Sequence, residues 1–293
     1  MMRPTAIAVA IAVLVARPDG VLAQYRPDAS CSIDPYHGCA GGVTEHSSAD
    51  RLQVLGVNMA IGAVTAAILA KVNGHSVSRA ALLGALGSAV TYSGKDLATQ
   101  RFDGAGLLGR QVGAVGASIL RDAVEGTPAF RRVVLPLGFV RLHVDADAPS
   151  PVRVRADLAA IVAGGIAVGD GARLDVGTSL SMGTPVFRSH AVWQNWRGAH
   201  IGGVVRLTNH HGGELGARIR AHEMIHVIQH DADFIVFAEP VEQSFAGHLP
   251  AGRWLHEWAD FGVQVPVRLT ANWLLPYDSR PWEREAAILS GVH

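Results

Sequence analysis

His222, Glu223 and His226 are the residues whose types and spacing point most directly to chemistry. They lie in the run Arg220-Ala221-His222-Glu223-Met224-Ile225-His226-Val227-Ile228-Gln229-His230. On a helix, side chains four apart stand about one turn apart on one face. Both imidazoles can then reach a single ion. Glu223 lies beside that face, where its carboxylate meets a water on the ion rather than the ion itself. Two imidazoles, a third protein ligand and an open water position make up a catalytic zinc (Zn2+) site. The surrounding residues predict the helix. Ala217, Ala221, Met224, Ile225 and Ile228 form a separate apolar stripe at helical spacing, and burying that stripe turns the histidines toward a cleft. The plainer reading of the same run is a helix whose histidines are solvated or hydrogen-bonded.

A third ligand has to come from elsewhere. His230 follows His226 by four but diverges from the ion on a straight helix. Glu239, Glu242, His256 and Glu257 are further donors, and Pro281-Trp282-Glu283-Arg284-Glu285-Ala286 offers two more carboxylates. Here the sequence resembles the zincin metallopeptidases of the gluzincin type, over about its last third. In that family a Glu on a later helix, within Glu-x-x-Ala, completes the site. The resemblance implies that His222, His226 and Glu283 hold the metal and that Glu223 is the general base. It also implies that Ala286 is the small residue that lets the two helices approach. Glu285 remains an alternative ligand. The chain departs from the longer family pattern because Ala287, not Asp, follows Ala286. Such sites also use a side chain against the developing oxyanion. Tyr277 is put forward for that catalytic role, with Arg280 and His256 as alternatives. His210 and His211, just before the helix, are read as a solvated turn or as substrate contacts.

The elements that must position these residues are read from composition and period. The formal net charge is +0, so no basic excess suggests nucleic-acid binding. The chain is 49% hydrophobic and 17% charged, apolar enough to bury a large core or to meet a membrane in part. Residues 1–23 read as a secretory signal peptide, with Arg3 before an apolar run and small residues near Ala23. Residues 24–48 form an exported segment in which Cys31 and Cys39 pair in an oxidising compartment. Residues 49–126 hold three apolar Gly/Ala-rich helices, at 51–72, 80–90 and 104–123. Ser47, Ser48 or Asp50 caps the first helix, and Asn73-Gly74 ends it. These helices are expected to be buried in a soluble layer, and the competing expectation is membrane association through residues 52–124.

Residues 127–293 are expected to form a β-layer and the metallopeptidase-like unit. From about 130 to 190 the chain reads as antiparallel strands. Val152, Val154, Ala156 and Leu158 alternate with Arg153, Arg155 and Asp157 to give one wet face. Residues 166–176 read as a hairpin, and 179–187 as a continuation of the sheet. Trp193, Asn195 and Trp196 lie in a connector. Residues 200–209 read as one strand leading into the metal helix, with a free edge for an extended peptide.

The fold class expected is α+β: an apolar helical N-terminal part, an antiparallel β-layer and a C-terminal zincin-type unit. The function expected is an exported zinc metallopeptidase, secreted or in the cell envelope, acting on a peptide or protein substrate through a Glu-activated water. The alternatives are an envelope structural or interaction protein with a non-catalytic metal site, and a metal-dependent hydrolase of a non-peptide amide.

Overall fold

The structure is a computed structural model that describes residues 46–190, 198–209, 213–248, 250–275 and 280–292. The signal peptide, the Cys31 and Cys39 loop, Trp193, Asn195, Trp196, His210, His211 and Tyr277 lie outside the described residues.

Local signals set the first helix, α1 (Ser48–Asn73). The Ser47 hydroxyl accepts the Asp50 N–H at 3.2 Å, and the Ser47 N–H donates to the Asp50 carboxylate at 2.9 Å. This reciprocal cap satisfies donors that a helix start leaves orphaned. At the other end Gly74, with φ of 80°, supplies the left-handed turn that closes the helix. Two more helices follow, α2 (Val77–Ala98) and α3 (Ala105–Glu125).

These three helices touch backbone to backbone, because glycines line the contacts. A Cβ on Gly84 would lie 2.4 Å from the Gly62 carbonyl, and one on Gly94 would lie 2.4 Å from Gly113 N and 2.5 Å from Gly109 O. Gly94→Ala must therefore push α2 away from α3. We expect it to destabilise the fold by about 2–3 kcal/mol and lower the Tm by roughly 4–12 °C. Gly56→Ala, which meets nothing within 4 Å, should be neutral or stabilising when measured in the same thermal melts.

The burial of this layer is uneven. α1 is long and apolar enough to cross a membrane. Its inner face is buried at Val54, Ala66 and Leu69, while Leu52, Met59, Val64 and Ile68 are exposed. The expectation of wholly buried helices holds for one face of α1 and not for the other.

The β-layer differs from expectation. Two four-stranded mixed sheets replace one antiparallel layer. The first contains β1 (Arg132–Leu137), β2 (Val140–Asp145) and β3 (Val152–Asp157), antiparallel in that order. The short strand β8 (Ala259–Asp260) joins β3 in parallel. The second contains β4 (Arg173–Leu174), β5 (Val186–Ser189), β6 (Gly198–Ile201) and β7 (Val204–Thr208), in the order β4-β5-β7-β6. Residues 166–168 belong to a helix, α4 (Leu158–Gly169), because the Asp157 carboxylate accepts the Ala160 N–H and caps it. Asp175 does the same for α5 (Val176–Met182), so only the end of the expected 179–187 strand is a strand.

The faces of β3 are also inverted. Val152 and Val154 are exposed, and Arg155 and Asp157 are buried. Partners distant in sequence explain this. Arg141 pairs with Asp157 at 2.5 Å, Arg155 with Asp260 at 3.2 Å, and His143 with Asp260 at 2.8 Å. Buried charges are tolerated when they are paired in this way.

The helix that carries His222 and His226 is α6 (Gly213–Asp233), followed by a π-helical turn at Phe234–Ala238, then α7 (Glu239–His248) and α8 (Pro250–Trp258). The last helices are α9 (Gln264–Leu274) and α10 (Pro281–Ser290). One side of α6 packs Ile219, Met224, Val227 and Ile228 against Val186, Val205 and Leu207 of the second sheet. Ile225 packs on the other side, against Val54 of α1, Tyr92 of α2 and Ala286 and Leu289 of α10. Arg110 of α3 pairs with Asp231 at 2.7 Å and holds the end of α6. This clamping fixes the direction in which the two histidines point.

Candidate metal centre

His222 and His226 stand one turn apart on α6, both buried, with their Nε2 atoms 3.1 Å apart. α10 brings the third group. Its Pro281 opens the first turn, where a fixed φ suits a helix start. Trp282 and the fully buried Ala286 then seat the helix. This places Glu283 Oε2 at 3.0 Å from His226 Nε2 and 3.5 Å from His222 Nε2. A tetrahedral site with bonds of ~2.0–2.1 Å has ligand-to-ligand edges of about 3.4 Å. The three atoms match one face of such a site.

The distal nitrogens of the imidazoles are also engaged. Gln229 Oε1 lies 2.9 Å from His226 Nδ1, and Ser290 Oγ lies 3.4 Å from His222 Nδ1. Outer partners of this kind orient a ligating imidazole and select its metal-facing nitrogen. Burial alone would raise the Glu283 carboxyl. The His226 charge, with hydrogen bonds from both imidazoles, outweighs burial and holds it far below the usual range.

Glu223 differs from Glu283. It is buried, and no described residue donates a hydrogen bond to it. Burial pushes its carboxyl up to about 7, with the His222 charge opposing and the Glu283 charge adding. A cation at the three ligand atoms would draw it back down. Its neighbour is the edge strand β6. A Cβ on Gly198 would lie 2.7 Å from Glu223 Oε1 and 3.0 Å from Ile219 Cγ2. Gly198→Ala should displace the Glu223 carboxylate while leaving the fold intact, since the crowded atom ends a flexible side chain. We expect any hydrolysis that depends on Glu223 to fall by on the order of 10-fold or more, with an unchanged far-UV circular dichroism spectrum as the control.

The remaining sequence candidates are placed elsewhere. Glu285 points away from the histidines, with its oxygens 2.8 Å from Lys95 Nζ. His230 is buried beside Gln264 Nε2 at 3.1 Å and stacks edge-on with His200. Burial keeps both of those imidazoles well below their ordinary pKa. Glu239 pairs with Arg121 and His143. Glu257 is exposed. Arg280 donates to the carbonyls of Asn272 and Leu275, which braces the end of α9. Tyr277 is outside the described residues, and the other two oxyanion candidates are engaged elsewhere, Arg280 at those carbonyls and His256 with its Nε2 at 3.1 Å from Arg155 Nη1.

A second cluster, Glu242, His256 and Asp260, has donors close enough to hold a cation. Its charge is met from within the chain. Glu242 accepts the N–H groups of Phe261, Gly262 and Val263, and Arg155 Nη1 lies 3.1 Å from His256 Nε2 and 3.2 Å from Asp260 Oδ1. A guanidinium already supplies the positive charge there.

The strand expected at 200–209 is a hairpin, turned at Gly202 and Gly203, whose φ values are 56° and 82°. β7 precedes α6 in the chain but is interior, between β5 and β6. The edge beside α6 is therefore β6. Sequence reasoning missed Gly198, Gln229, Ser290 and Lys95. Gln229 alone carried a local signal, because it stands one turn beyond His226 on the same helical face. Compared with known proteins, the chain matches no family model, no curated protein and no solved structure.

Proposed function

We propose that the chain is an exported zinc-dependent metallopeptidase. The carrying observation is the convergence of His222 Nε2, His226 Nε2 and Glu283 Oε2 within 3.0–3.5 Å of one another, beside a buried carboxylate with no described donor. The donor set of two imidazoles and one carboxylate suits zinc. When bound, zinc supplies a Lewis acid that polarises a carbonyl and lowers the pKa of water.

The chain's own residues do the rest. Glu223 takes a proton from the attacking water and returns it to the leaving amine. Gln229 and Ser290 hold the imidazoles. β6 is the sheet edge beside Glu223, and it orients an extended substrate by adding it as a strand. Glu223, which has no donor among the described residues, favours an enzyme over a structural metal site. A buried carboxylate without donors costs free energy, and a structural site has no use for it. The reaction takes place outside the cytoplasm, with the exposed face of α1 as the element that meets the membrane.

The test is a peptide library incubated with the mature wild type, with the wild type plus a zinc chelator, and with Glu223→Gln, followed by mass spectrometry. Cleavage by the wild type alone supports the reading. Equal cleavage in all three samples, or none in any, removes it.

A further inference from the structure

Four polar groups behind the metal centre form one continuous chain of hydrogen bonds. His226 Nδ1 meets Gln229 Oε1 at 2.9 Å. Gln229 Nε2 donates to Glu285 Oε2 at 2.7 Å and to the Trp282 carbonyl at 3.2 Å. Glu285 in turn accepts from Lys95 Nζ on both oxygens, at 2.8 Å each, and from Asn58 Nδ2 at 2.9 Å. Lys95, Gln229 and Glu285 are all more than nine-tenths buried.

The direction of every bond in this chain is determined. Lys95 can only donate, so the group facing it must accept, and a carboxylate does. A carboxylate and a backbone carbonyl can only accept, so the Gln229 amide must turn its N–H groups toward Glu285 and Trp282. Its oxygen is left facing His226. An amide oxygen only accepts, so His226 must carry its proton on Nδ1. With an ion at the site the lone pair lies on Nε2, the atom that faces His222 and Glu283; without one, the Glu283 carboxylate at 3.0 Å competes for a proton on that nitrogen.

We propose that Lys95, Glu285 and Gln229 are positioning residues that fix the Nδ1–H tautomer of His226 and so present its Nε2 to the metal. The relay runs from α2 through α10 to α6. It gives the Gly-rich helical layer a role in the metal site, because the close approach of α2 and α3 sets where Lys95 stands. A cavity of about 110 Å³ borders the relay, lined by Asn58, Thr65, Ser88, Lys95, Gln229 and Glu285 among others. That space accepts the larger head of an arginine, so Lys95→Arg keeps a cation against Glu285. Lys95→Met keeps the length of the side chain and removes the cation. Glu285→Gln keeps the shape and sets an amide donor against the Gln229 amide, which frees Gln229 to turn an N–H toward His226 Nδ1.

The inference rests on the metallopeptidase reading for the identity of the ion, but the relay itself is tested without activity. Zinc affinity is measured by competition with a chromophoric chelator. The His226 tautomer is read by nitrogen NMR at alkaline pH on histidine-labelled, metal-free protein carrying Glu283→Ala, which removes the carboxylate that competes for a proton on Nε2, with His226→Gln used to assign the signal. Lys95→Met and Glu285→Gln should each weaken zinc binding by roughly 10–100-fold, and Lys95→Arg should stay within about threefold of the wild type. In the Glu283→Ala background His226 should be Nδ1–H with Lys95 or with Lys95→Arg, and mixed with Glu285→Gln.

Wild-type zinc affinity in both Lys95→Met and Glu285→Gln would overturn the relay, and so would an Nε2–H tautomer in metal-free Glu283→Ala. If the Lys95 and Glu285 variants fail to fold, the tautomer in metal-free Glu283→Ala decides alone. If the wild type binds no zinc, the metallopeptidase reading falls and the tautomer still decides the relay.

Discussion

Glu223→Gln should keep zinc bound and lose roughly 10²–10⁴-fold in peptide turnover, the range a positioned general base supplies. The substitution is nearly isosteric and leaves the ligand atoms of His222, His226 and Glu283 untouched. It removes only the capacity to take and return a proton. No described residue donates to Glu223, so among the described residues no hydrogen bond is broken. The same fact sets the sign of the stability change. Burial raises the folded-state carboxyl to about 7, above its ordinary value. The ionised form is therefore disfavoured in the fold, and that cost grows as pH rises from the unfolded value toward 7. A neutral amide escapes it. At neutral pH the metal-free Glu223→Gln variant should melt at or above the wild type, a combination expected of a functional group held at the expense of stability. A variant that loses zinc along with activity would instead make Glu223 a ligand or a structural residue.

The second large effect is expected of Glu283→Ala. Removing one of three ligands should weaken zinc binding well beyond the about 10–100-fold that a lost outer partner costs, and activity should fall with it. The fold should survive. α10 is seated by Trp282, Ala286 and Leu289, which are buried independently of the carboxylate. Far-UV circular dichroism on the variant separates loss of the ion from loss of the helix. An unchanged zinc affinity would return the third ligand to the other carboxylates, although Glu285 is already committed to Lys95.

Much of this site was legible because its signals are local. His222 and His226 announce themselves by a spacing that any helix converts into one face. The Ser47 and Asp50 cap and Gly74 bracket α1 within a few residues of where the pattern puts them. Pro281 marks the start of the helix that carries Glu283.

Features set by distant partners were not legible. Arg155 alternates with Val154 as a solvent-facing residue should, yet it is buried because Asp260, far along the chain, meets it. Residues 166–168 look like strand until Asp157 is seen capping them into α4. β7 looks like the free edge until the turn at Gly202 and Gly203 lays β6 over it. Lys95 reads as one of two lysines in an apolar chain, and only the packing of α2 against α10 shows that its partner is Glu285.

The most direct test of the central claim is the metal content of the purified mature chain, measured by elemental analysis beside its variants. Wild type and Glu223→Gln should each carry one equivalent of zinc, and His226→Ala and Glu283→Ala should carry none. A folded wild type that holds no zinc and takes none up on addition would contradict the account.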